Sequence, residues 1–179
     1  IAGSKADFVI AHNYLTNLSG ISTARNSWYN SYLTLMNNNT SITHHVTIAN
    51  NAIDQLASAA YKARYQIAVT EGGPYSPGLT DTIMPQTNTM GKAIIAADMY
   101  SAMLSNPRVS HIHFWTSHWF LSYNQTYNQP YNIRNLLGGN NEITPIGYAL
   151  QLLNESITGN KIAVTDINTS NAKYKVHAF

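Results

Sequence analysis

Three short apolar runs stand far apart in the chain: Asp7-Phe8-Val9-Ile10-Ala11-His12-Asn13-Tyr14, Gln66-Ile67-Ala68-Val69-Thr70-Glu71-Gly72-Gly73-Pro74, and Val109-Ser110-His111-Ile112-His113-Phe114-Trp115-Thr116. Each is β-rich and closes on polar or aromatic side chains, the pattern of buried parallel strands. In the first, Phe8, Ile10 and His12 share one face and Val9, Ala11 and Asn13 the other. Both faces are apolar, so burial on both is expected. Between the runs the apolar period changes to that of a helix. Residues 44 to 65 carry Ile48, Ala52, Ile53, Leu56, Ala59 and Ala60 at spacings of three and four. Residues 88 to 104 place Met90, Ala93, Ile94, Ala97 and Leu104 on one face, with Asn88 or Thr89 as cap and Asn106-Pro107 as stop. Thr144-Pro145 opens a third helix, which Ile146, Ala149, Leu150, Leu152 and Leu153 bury and Gly159 ends. Alternating strands and helices predict an α/β fold with a parallel sheet.

Two long stretches lack such periodicity. Residues 15 to 41 are rich in Asn, Ser, Thr and Tyr and carry Trp28, Tyr29 and Tyr32; residues 116 to 142 carry Trp119, Phe120, Tyr123, Tyr127 and Tyr131 among amides. Loops of that length are uncommon unless functional. Beyond the third helix, 161 to 166 and 173 to 179 read as strands.

Composition narrows the classes. Charged residues make up 10% of the 179 residues, against about 25% in an average domain, so the polar surface is mostly uncharged. A net charge of +2 without a basic cluster argues against nucleic acid. No apolar run reaches the length of a membrane span. Cysteine is absent, which excludes disulfides and thiolate metal sites. Acceptor sequons begin at Asn17, Asn38, Asn39, Asn124, Asn154 and Asn168, and with the low charge they point to a secreted or cell-surface protein.

Few acids compete for a chemical role. Asp54 and Asp98 fall within helices, Glu155 at a helix end, Asp7 at a strand start, Asp81 and Glu142 in loops, and Asp166 in the last strands. Glu71 alone ends a buried strand, the position where α/β barrels place their chemistry. The Gly72-Gly73-Pro74-Tyr75 turn after it lets backbone approach a ligand. His44 and His45 are adjacent on a helix and do not face one site, so they read as surface or helix-start residues and no metal is expected. No glycine-rich phosphate fingerprint occurs, and no cofactor is implied. On the residues alone, His12 reads first as a core histidine and Tyr14 as a rim packing residue, and a structural carboxylate bonded to loop amides is the alternative for Glu71.

Ala-His-Asn-Tyr, Val-Thr-Glu-Gly-Gly and His-Phe-Trp-Thr, in this order and spacing, resemble the last three strands of a retaining glycoside hydrolase barrel. The likeness is to arabinofuranosidase, xylosidase and agarase-like members of clan A, and it covers residues 7 to about 160. It implies a fold class: the carboxyl-terminal part, about strands six to eight, of a TIM (β/α)8 barrel over 1–158, then the first strands of a β-sandwich over 159–179. It implies Glu71 as the nucleophile and Trp115 as the aromatic floor of a sugar site. His12, Tyr14, Tyr75 and Trp119 would line that site, with Tyr14 bonding the nucleophile. A complete barrel needs about 250 residues. Both ends of the chain read as cut, so the remaining strands, with the acid/base glutamate, are expected from an N-terminal segment or a second polypeptide. The alternative is a non-catalytic glycosidase-like module that binds carbohydrate or serves as cell-surface structure.

Overall fold

The computed structural model describes residues 7–15, 42–74, 90–115, 136–137 and 142–157. In chain order these form β1 (Phe8–Tyr14), α1 (His44–Leu56), α2 (Ala59–Lys62), β2 (Gln66–Gly73), α3 (Met90–Leu104), β3 (Val109–Ile112) and α4 (Pro145–Ser156). The strands predicted from the three apolar runs are found, and they form one parallel sheet in the order β1-β2-β3. The protein is thus mixed α/β. β3 is shorter than the apolar run, but its ladder continues past it: His113 N–H donates to Val69 O at 2.8 Å and Trp115 N–H to Gly72 O at 3.0 Å.

One face of the sheet makes the core. Ala11, Ile67 and Val69 pack with Val46, Ala49 and Ile53 of α1 and with Ile95, Met99 and Met103 of α3. Ile67 and Val69 are fully buried, each contributing about 2 kcal/mol by removal from water. α4 lies on α3, where Ile146 meets Ala93 and Ala96. Burial on both faces of β1 is not what the structure has. Among the described residues nothing covers the face of Phe8 and Ile10, which are 45% and 66% exposed. Across that open face Phe8 meets His111 edge-on, at 5.6 Å between ring centroids.

The helices depart from the sequence reading in three ways. The expected helix over 44–65 breaks where Ala57 and Ser58 turn extended, with ψ of 143° and 158°. Ile48 and Leu56 face outward, and the burial falls on Val46, Ala49 and Ile53 instead. α3 is apolar nearly all round, so its sequence does not select a face. Met90 and Ile94 are exposed, while Lys92, Asp98 and Ser101 are buried. α4 starts as expected, with Thr144 Oγ1 accepting from Gly147 N–H at 3.1 Å and Pro145 in the first turn, but Leu152 points to solvent. Asn88, Thr89, Gly159, residues 16–41, 116–135 and 138–141 of the two loop stretches, and the sandwich strands lie outside the described residues.

Candidate functional site

The site is built by a defect in strand pairing. Ala11 pairs with Val69 and the next residue, His12, pairs with Glu71, so Thr70 is an extra residue with no partner in β1. Without it, the two-residue period would send Glu71 to the helix side with Ile67 and Val69. The bulge moves Glu71 to the open face, alongside His12.

There Glu71 meets two side chains of β1. Tyr14 Oη donates to Glu71 Oε2 at 2.9 Å, and His12 Nδ1 lies 3.3 Å from the same oxygen. Both hold Oε2; among the described residues none bonds Oε1. The Tyr14 side of this contact is buried, while His12 is exposed.

Between these two residues Asn13 does different work. Its side chain is fully buried and points to the helix side. Oδ1 accepts from the backbone N–H of His45 at 3.0 Å and of Val46 at 3.4 Å, and Nδ2 donates to Ile42 O at 2.7 Å. Thr43, the residue before α1, makes no side-chain cap bond. Asn13 therefore satisfies from another element the orphan donors of the first turn, and it ties α1 to the strand end that carries His12 and Tyr14.

The backbone beyond Glu71 is closely packed. A Cβ on Gly72 would stand 2.8 Å from the Asn13 carbonyl oxygen, so β1 and β2 meet there at a distance that only glycine permits. A cleft of about 840 Å³ opens beside β1 and α1. His12, Tyr14, His45 and Glu71 form its polar end, and Ile10, Ile48 and Ala52 are among its apolar lining. His45, in the first turn of α1 as expected of a helix-start residue, thus also lines the site. Its pKa is lowered, first by burial and then by the nearby charges of His44 and His12.

Of the residues expected from sequence, Glu71, His12 and Tyr14 are in contact. Trp115 is attached through its backbone bond to Gly72 and is 37% exposed. Tyr75 and Trp119 lie outside the described residues. Sequence reasoning placed His45 at the helix start without giving it a part in the site, and passed over the buried Lys92. The signal for Lys92 was its place as a lone cation in an apolar helix. Asp7 and Asp54 are occupied elsewhere, in ion pairs with Arg64 and Arg108. The guanidinium of Arg108 holds the Asp54 carboxyl below the usual range. Among the described residues no group of three or more His, Asp or Glu could hold a metal ion, and no helix is long and apolar enough to cross a membrane. Compared with known proteins, the chain matches no family model and no curated sequence.

Proposed function

We propose that this chain supplies the nucleophile-bearing part of a retaining glycoside hydrolase acting on an oligosaccharide or polysaccharide. The observation that carries the reading is the Glu71 carboxylate, delivered by the middle strand of a parallel sheet to its carboxyl end and held there by Tyr14. A carboxylate pinned through one oxygen keeps the other for attack. Oε1 of Glu71 would bond to the anomeric carbon as the leaving oxygen departs, giving a glycosyl ester. Water would then displace the sugar and return the carboxylate. Tyr14 and His12 fix the approach of the nucleophile, and Trp115, whose backbone is bonded to Gly72 and whose side chain is partly exposed, would offer a sugar face a ring to stack on.

The mechanism needs a second carboxyl about 5 Å away, first as acid and then as base. Among the described residues lining the cleft, Glu71 is the lone acid. The partner glutamate would come from the segment or polypeptide that completes a (β/α)8 barrel. The open face bearing Phe8 and Ile10, and the edge of β1 that no described strand pairs, support such a completion, because folded proteins avoid leaving long strand edges unpaired. Low charge and abundant sequons favour a secreted or cell-surface protein. No cofactor enters this chemistry.

The test is turnover of aryl glycosides by the complete protein and its Glu71→Gln variant. The variant keeps shape and sugar binding but loses hydrolysis. Binding without hydrolysis in the parent protein would instead favour a carbohydrate-binding module.

A further inference from the structure

Lys92 is 2% exposed on α3, and its ammonium donates to the Pro74 carbonyl at 2.8 Å. A buried ammonium is costly, and an apolar side chain of the same length would fill the space without that cost. Burial pushes the pKa of Lys92 down to about 8. What the lysine adds is a rigid donor aimed at Pro74, the residue at which the chain leaves β2 three positions after Glu71. The strand end before it is held from two more directions: Gly72 O accepts from Trp115 N–H at 3.0 Å and lies 3.5 Å from the Tyr100 hydroxyl, also on α3. Gly72 and Gly73 have no side chains with which to fix their own backbone, and glycine is the residue with most freedom to lose. Pairing with Asn13 and Tyr14 of β1 supplies part of the constraint, and the bonds from β3 and α3 supply the rest up to Pro74.

We propose that Lys92 is a positioning residue for Glu71: by holding the Pro74 carbonyl it anchors the end of β2 just past Gly72 and Gly73, and with it the direction in which the Glu71 carboxylate leaves the strand. The catalytic consequence rests on the glycosidase reading, whereas the positioning itself does not.

Carboxyl-¹³C-labelled glutamate gives the direct readout, since the glutamates of the chain are Glu71, Glu142 and Glu155. In the full protein, Lys92→Met should fold and move the Glu71 resonance while those of Glu142 and Glu155 stay in place. The rate of covalent labelling by a 2-fluoro glycoside should fall about tenfold or more, with the sugar Kd nearly unchanged. Lys92→Arg, which keeps a cationic donor, should recover much of that rate. An unmoved Glu71 resonance with an unchanged labelling rate in folded Lys92→Met overturns the proposal. Should Lys92→Met not fold, Lys92→Gln is read in the same way, and loss of folding in both variants overturns it in favour of a purely structural lysine. If the parent protein is never labelled but the resonance still moves, the glycosidase reading falls and the positioning role stands.

Discussion

Tyr14 and Glu71, 57 residues apart, meet at 2.9 Å because two parallel strands end side by side, with the hydroxyl donating to Oε2. Tyr14→Phe removes the donor without changing the ring. A hydrogen bond to a charged group is worth about 1.5–3 kcal/mol, so covalent labelling at Glu71 should slow by about tenfold or more while sugar affinity, read by calorimetry, changes little.

Thr70 matters through its backbone. Thr70→Ala keeps the bulge and, at an exposed position, should change stability by no more than about 0.5 kcal/mol. Deleting Thr70 restores the plain register and turns Glu71 toward the helix side. An uncompensated buried charge costs about 3–5 kcal/mol, so the deletion should lose both denaturant resistance and labelling.

The strands were legible because each is an apolar run with turn chemistry behind it, and Glu71 because it ends one of them. The bulge at Thr70 was not legible, since nothing in Val69-Thr70-Glu71 distinguishes an extra residue from a paired one. Period-two logic alone would have buried Glu71. Nor was the buried face of α3 legible: with apolar residues all round, Met90 and Ile94 were as plausible inside as Ile95 and Met99, and tertiary packing chose the latter. The role of His45 depended on a strand 32 residues away, through Asn13, a relation that local spacing does not encode.

Asn13→Ala should destabilise the protein by about 2 kcal/mol or more, because it uncaps α1 and strips Ile42 O of a buried donor. Asn13→Asp keeps the acceptor for His45 and Val46 but turns a buried carboxylate oxygen on Ile42 O, so at neutral pH it too should destabilise, by at least as much. Chemical denaturation of the variants side by side measures both.

Lys92 makes stability depend on alkaline pH. Its folded pKa, about 8, lies below the ordinary 10.5, so between those values the unfolded chain binds more protons. Stability contributed by the neutral amine is therefore present above about 10.5 and lost as pH falls through 8. Lys92→Met should flatten that rise. At neutral pH it should make the protein more stable, by about 1–3 kcal/mol, as followed by thermal unfolding across the pH range. His45, with its pKa lowered by burial, acts lower on the scale: its contribution is full above about 6.5 and is lost on acidification, and His45→Gln should weaken that loss.

Trapping with an activated 2-fluoro glycoside, followed by proteolysis and mass mapping of the complete protein, tests most directly whether Glu71 is a nucleophile. The expected result is one sugar attached to the peptide containing Glu71, with no attachment in Glu71→Gln and sugar binding retained. Label on a different carboxylate, or undiminished turnover in Glu71→Gln, would contradict it.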